Sequence, residues 1–228
     1  MKILELIPFV LIAVVIVFFS IRGKKKTDAA VQAFAQSNGY TFNPKPDKAS
    51  IFNMSIFARE HSLSIRDGVT MPTGRIVVCC SVIEGTGYNN MQGMTNKNHN
   101  TEYIASITAI NGGGTSFNLI PKALSGMFGF NHDGLTRYQL EGNLSEIYEL
   151  YVSPGEETET LTVLQPDTLL QFSQNSPSTT LIARPGALYV FLRKTINTSA
   201  QPNSQWSYDN AFQTLNTLTD AVLKNYHQ

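Results

Sequence analysis

The run from Ile3 to Ile21, I-L-E-L-I-P-F-V-L-I-A-V-V-I-V-F-F-S-I, constrains this chain more than any other feature of it. As a helix rising 1.5 Å per residue, it reaches about 28 Å, close to the hydrocarbon thickness of a bilayer. It has no polar face, so it is unlike a helix that merely lines the core of a globular domain. Glu5 sits near one end, within reach of the interface, and Pro8 falls in the first turns, where its missing N–H costs least. A cleavable signal peptide would have a shorter apolar core and small residues at its end. Here the run closes on Phe18-Phe19-Ser20-Ile21-Arg22 instead. The segment therefore reads as an uncleaved, single-pass transmembrane anchor, with the bilayer as its first partner.

Orientation follows from the flanks. Arg22, Lys24, Lys25 and Lys26 follow the span, against Lys2 before it. The more basic flank stays in the cytoplasm, so residues 27–228 are predicted to be a cytoplasmic domain at the cell membrane. On that reading, the glycosylation-like triplets at Asn53, Asn143 and Asn197 are chance matches. Of the chain's 17 basic and 17 acidic residues, residues 1–26 hold five basic groups and Glu5, which leaves the remainder acidic. A domain of that sign offers no footprint for a phosphate backbone, and no nucleic-acid partner is expected.

The length beyond the anchor suits one domain. Thr27-Asp28 caps a helix, Ala29 to Ser37, that stops at Asn38-Gly39. Asn43-Pro44-Lys45-Pro46-Asp47 is a turn-rich connector, and from about Ile51 to Asn118 the pattern is mostly strand. Ser62 to Arg66 alternates, Asp67-Gly68 signals a turn, and Arg75 to Ile83 and Tyr103 to Ile110 are strands. The Gly- and Asn-rich stretch 85–100 between the last two reads as a long exposed hairpin loop. Asn111 to Gly114 turns into a strand at Thr115 to Ile120, and Pro121 opens a short helix to about Phe128. Arg137 to Leu140 is a short strand, and Glu146 to Tyr151 reads as helical. A second helix runs from Pro166 to Ser173. Thr179 to Ala183 and Ala187 to Arg193 form a hairpin across Arg184-Pro185-Gly186. From Ser207 to about Asn225, Tyr208, Phe212, Leu215, Leu218, Val222 and Tyr226 recur at helical spacing, a stripe to lay on a sheet. The fold class is α+β, with a largely antiparallel sheet, short helices and a C-terminal amphipathic helix.

Three segments carry a resemblance. They are Ala33-Phe34-Ala35-Gln36-Ser37-Asn38-Gly39-Tyr40, Phe117-Asn118-Leu119-Ile120-Pro121-Lys122, and the stretch from Tyr138-Gln139-Leu140-Glu141-Gly142 through Leu181-Ile182-Ala183-Arg184-Pro185-Gly186-Ala187-Leu188-Tyr189-Val190. In these the chain resembles a group of bacterial membrane-anchored proteins known only as a domain of unknown function. The resemblance implies an anchored domain of mixed sheet and helices, and it brings no activity, cofactor or site residue with it.

The residues themselves assign no catalytic, cofactor or metal site. His61, His99, His132 and His227 lack any His, Cys or carboxylate at ligand spacing. In Asn131-His132-Asp133-Gly134 an Asp stands beside a His, but that is also ordinary turn chemistry. The glycines Gly85, Gly87 and Gly93 lack the strand-to-helix setting of a nucleotide loop. Glu156-Glu157-Thr158-Glu159 reads as a solvated helix start, and Trp206 as a core edge. Cys79 and Cys80 are neighbours in a strand, so their thiols diverge and cannot bridge. Two functional classes remain: a non-catalytic module holding a ligand or protein partner at the inner membrane surface, or a tethered hydrolase using His132 or His61 as base.

Overall fold

A computed structural model describes residues 28–57, 63–84, 99–110, 114–125, 130–175, 178–194 and 208–226. The predicted anchor, its basic flank, most of the Gly- and Asn-rich loop and the 111–113 turn lie outside them. Among the described residues no helix is long and apolar enough to cross a membrane.

The strands are β1 (Thr41–Asn43), β2 (Leu63–Thr70), β3 (Ile76–Glu84), β4 (His99–Ala109), β5 (Phe117–Pro121), β6 (Thr136–Tyr138), β7 (Tyr148–Val152), β8 (Thr179–Arg184) and β9 (Ala187–Arg193). They form one nine-stranded sheet in the order β1-β2-β3-β4-β9-β8-β5-β7-β6. Every strand pairing in it is antiparallel. Helices are α1 (28–37), α2 (Lys48–Ile51), α3 (Lys122–Ser125), α4 (Leu144–Ile147), α5 (Glu157–Val163), α6 (Pro166–Asn175) and α7 (Tyr208–Tyr226), with a 3-10 turn at Met54–Ile56. The α+β class and the antiparallel sheet are as the sequence predicts.

Both faces of the sheet are covered, and the side-chain parity of the strands divides two cores. Val77 and Cys79 point to the face that carries α1, α5, α6 and α7. Val78, Cys80 and Val82 point to the other, which is packed by residues 52–57 and Phe130. This is why β3 reads as an unbroken apolar run rather than an alternation. On the helical face, α7 buries Phe212, Leu215, Leu218 and Val222, as its stripe predicts. Each such burial is worth about 1.5–3 kcal/mol. Phe34 of α1 meets Phe212 edge-on at 4.7 Å between ring centroids, and also contacts Tyr40 and Tyr208. Gly39, at φ +70°, ends α1 in the left-handed conformation that glycine adopts without strain. On the opposite face, Phe52 stacks on both Tyr189 and Phe191.

Four expectations need correction. Asp67-Gly68 is not a turn: β2 runs through to Thr70, and its register against β3 shifts between Arg66 and Val69. Asp67 takes φ +52°, so the pair forms a bulge that kinks the strand without ending it. Residues 51–56 are not strand: they close α2 and form the 3-10 turn, which are capped by Asp47 and Asn53 accepting from the backbone N–H groups of Ser50 and Ser55. Glu146 to Tyr151 is not one helix: α4 ends at Ile147, and β7 follows. In β7, Tyr148, Leu150 and Val152 alternate inward, so the period of two prevails over the helical propensity of Glu149. Finally, β4 starts at His99 and pairs it with Glu84, so the hairpin loop is shorter than 85–100.

Candidate functional site

The register across β2, β3, β4 and β9 builds a cavity without help from any sequence motif. Arg66 pairs with Cys79, Cys79 with Ile104, and Ile104 with Leu192, which places the four in one row on the helical face. Two residues along, Glu102 stands on that same face opposite Ser81, and the N–H of Lys194 donates to its carbonyl at 2.8 Å. Cys79 and Ile104 thus give an apolar floor, and Arg66, Glu102 and Lys194 supply the charge beside it. Ala30 and Val31 of α1 and Tyr208 at the start of α7 close the sides. The space, half open to solvent, is about 360 Å³, within the lower range of small-molecule sites.

At the mouth, Lys194 Nζ lies 2.9 Å from Glu102 Oε2. That hydrogen bond holds the Glu102 carboxyl below its usual range. Arg66 is held far more loosely. Its Nη2 is 3.5 Å from Glu102 Oε1, and its Nε is 3.8 Å from Asp67 Oδ2. Deeper in, burial pushes the Cys79 thiol up to about 12, so it remains protonated and a poor nucleophile. The Tyr208 hydroxyl is buried without a hydrogen-bond partner among the described residues, and burial raises it well above the usual phenol range. Cys80 points to the other core, so the two thiols diverge as predicted, and both are free.

His132 lies elsewhere, near the β5–β7 end of the sheet. Asn118 of β5 is fully buried. Its Oδ1 accepts from Arg184 Nη1 at 2.8 Å, and its Nδ2 donates to the Asn131 carbonyl at 2.8 Å. A guanidinium only donates and a carbonyl only accepts, so the amide has one orientation. The same Nδ2 lies 2.8 Å from His132 Nδ1. That nitrogen must therefore accept, and the imidazole proton sits on Nε2. Burial, and after it the nearby Arg184 charge, hold His132 below its ordinary pKa, while Glu149 and Asp133 pull weakly the other way. The ring stacks on Tyr151 at 4.2 Å. Tyr151 Oη donates to Glu149, which also accepts from Arg137 at 2.7 Å.

The group at His132 Nδ1 is thus Asn118, fourteen residues away, and not its neighbour Asp133. Asp133 closes a local turn, its N–H bonded to Asn131 Oδ1. Of the other flagged residues, His61, His227 and Trp206 lie outside the described residues, and His99 opens β4. The acidic run starts α5 as predicted: Glu157 accepts from the Gly155 N–H, and Glu156 from that of Ser116. Among the described residues no group of three His, Cys, Asp or Glu side chains is placed to hold a metal ion. Sequence reading missed Arg66, Glu102 and Lys194 altogether. Glu102 precedes the strand predicted from Tyr103, and Arg66 has the opposite parity to Leu63 and Ile65, so the predicted apolar faces did not point to either.

No family model matches the chain, and no curated protein does either. Among solved structures, it is similar to the crystal structure of the mycobacterial trehalose monomycolate transport factor A, at 10% identity and a TM-score of 0.47, over 86% of this chain and 93% of that one. A likeness at that level carries no functional argument.

Proposed function

We propose that this domain is a non-catalytic binding module, held at the inner membrane surface by the helix predicted at Ile3–Ile21 and belonging with the anchored bacterial proteins it resembles. Its ligand sits in the cavity between α1, the β2–β4 sheet and α7. The observation that carries this reading is the cavity itself: an apolar floor of Val31, Cys79 and Ile104 under a charged mouth of Arg66, Glu102 and Lys194. Apolar walls with a few convergent polar groups are what a binding site requires. Its nearest candidate nucleophile, Cys79, is a protonated thiol.

The competing expectation, a tethered hydrolase, gains no support from His132. A general base needs its second nitrogen to donate to an orienting acceptor, so that the ring keeps the right tautomer and the imidazolium is stabilised as it forms. Asn118 is a donor at that position. Protonation of His132 would set N–H against N–H.

The test is retention of ligand. The full chain is purified in mild detergent as wild type and as Ala30→Trp, a change at an exposed α1 position that fills the cavity. Native mass spectrometry of each should show a bound molecule in the wild type that is missing from the variant, with equal circular dichroism. Wild type carrying nothing, together with pulldowns that return no reproducible partner, would overturn the proposal. A reporter fused to Gln228 checks the anchor's orientation separately: a cytoplasmic signal is expected, and an external one would move the module to the outer face.

A further inference from the structure

From the shape and charge of the same cavity we infer its ligand class: a single-chain anionic amphiphile, whose tail lies on the Cys79–Ile104 floor and whose carboxylate or phosphate head meets Arg66. The inference rests on the binding-module reading above and adds the chemistry of the ligand.

Three observations on independent groups converge on it. The first is volume. A cavity of about 360 Å³ holds roughly twelve waters at ~30 Å³ each. A methylene needs about the same room, so a chain of about ten to twelve carbons fits. A two-chain lipid could insert only one of its tails.

The second is the condition of Arg66. A guanidinium offers five donors in a fork that matches a carboxylate or phosphate. Here its contacts to Glu102 and Asp67 are 3.5 and 3.8 Å, both too long for good charge-assisted bonds, which fall near 2.7–2.9 Å. Lys194, by contrast, already holds Glu102 at 2.9 Å. Glu102 is therefore largely satisfied from the lysine side. An anion arriving at Arg66 displaces a weak contact and gains a strong one. Lys194 keeps Glu102 from repelling it.

The third is Tyr208. It lines the cavity, and its hydroxyl is buried behind the wall without a partner among the described residues. A buried hydroxyl left unpaired is costly, and a turn of the ring that brings it to an acceptor oxygen of the ligand would remove that penalty. A purely hydrocarbon ligand would leave both Arg66 and Tyr208 as they are. A cation would find Glu102 already held by Lys194 at 2.9 Å.

The experiment uses the full chain in phosphatidylcholine nanodiscs, with a diazirine-bearing dodecanoate and the matching dodecanol as photoprobes and mass spectrometry to map adducts. Saturable labelling by the carboxylate probe is expected on the β3 and β4 peptides that hold Cys79 and Ile104. Ala30→Trp should reduce that labelling at least tenfold. Arg66→Gln should weaken the carboxylate probe about tenfold while changing the alcohol less than twofold. Unlabelled dodecanoate and dodecyl phosphate are then run as competitors. Whichever displaces the probe at lower concentration identifies a fatty-acid or a phosphate head, and either supports the inference. Alcohol and carboxylate labelling equally, with Arg66→Gln without effect on either, would overturn the anionic ligand while leaving a binding cavity in place. Labelling that neither saturates nor responds to Ala30→Trp would overturn both readings.

Discussion

Replacing Asn118 by Asp reverses the electrostatics of His132 and changes almost nothing in shape. In the native chain the Asn118 amide donates to Nδ1, a bond that exists only while the imidazole is neutral. A carboxylate at that position accepts instead, and stabilises the protonated ring. Hydrogen bonds to charged groups are worth about 1.5–3 kcal/mol, and about 1.4 kcal/mol corresponds to one pH unit. The His132 pKa in Asn118→Asp should therefore rise by roughly one to two units over wild type. The Arg184 guanidinium, at 2.8 Å from the retained Oδ1, compensates the new charge, while the Asn131 carbonyl loses the nearer of its two donors and keeps Arg184 Nη2 at 3.4 Å. The assay is imidazole nitrogen NMR on histidine-labelled full chain between pH 5 and 8.5. Wild-type His132 should titrate below 6.5 with an unprotonated Nδ1, and the variant clearly higher. A wild-type Nδ1 carrying the proton, or a variant pKa that does not rise, would refute the amide assignment. The depressed value also sets the sign of the pH dependence of stability. The unfolded imidazole charges near ~6.5 and the folded one only at lower pH. The unfolded chain therefore takes up the proton first. The contribution is most favourable above pH 6.5, declines as the pH falls toward the folded pKa, and levels off below it.

Leu215, fully buried on the α7 stripe, should cost about 2–5 kcal/mol as Leu215→Ala, read as a fall in Tm of ~2–4 °C per kcal/mol. Gly68 packs so close to Pro46 that an added Cβ would lie 3.0 Å from its Cγ. Gly68→Ala should therefore destabilise by about 1–3 kcal/mol in the same melts, and an unchanged Tm would mean that residues 44–47 yield more readily than the packing implies. Both cysteines should resist an aromatic disulfide reagent at pH 8 in the folded chain and react at once in denaturant. Fast labelling of the native protein would contradict the burial of the two thiols.

What the sequence made legible was what depends on short-range periodicity. The α7 stripe, the divergence of Cys79 and Cys80, the β8–β9 hairpin and the stop at Gly39 are each written in a dozen residues or fewer, or in one repeated spacing. The failures share a cause as well. Asp67-Gly68 carries the chemistry of a turn, and only the continued pairing of β2 with β3 converts it into a bulge. Glu146 to Tyr151 holds acids that favour helix, yet Tyr148, Leu150 and Val152 find a sheet face waiting. The cavity is wholly a product of tertiary register. Arg66, Glu102 and Lys194 are distant along the chain, and no spacing rule joins them. The Asn118–His132 contact is hidden in the same way, while Asp133 beside the histidine offered a misleading partner.

The strand order also has a consequence in time. β1 to β4 form a meander that can pair as soon as it emerges, but the other side of β4 is filled by β9. About 80 residues separate the two strands, so at ~5–20 residues per second the β4 edge waits roughly 4–16 s during synthesis. Through that interval the stretch of β4 from Tyr103 to Ala109 presents unpaired backbone and two apolar faces, an open template for another chain. Closure comes late, from a hairpin made about 80 residues further along the chain. Truncation before β9 should accordingly yield aggregates rather than a smaller domain, and the burden of chaperoning this protein falls on its middle.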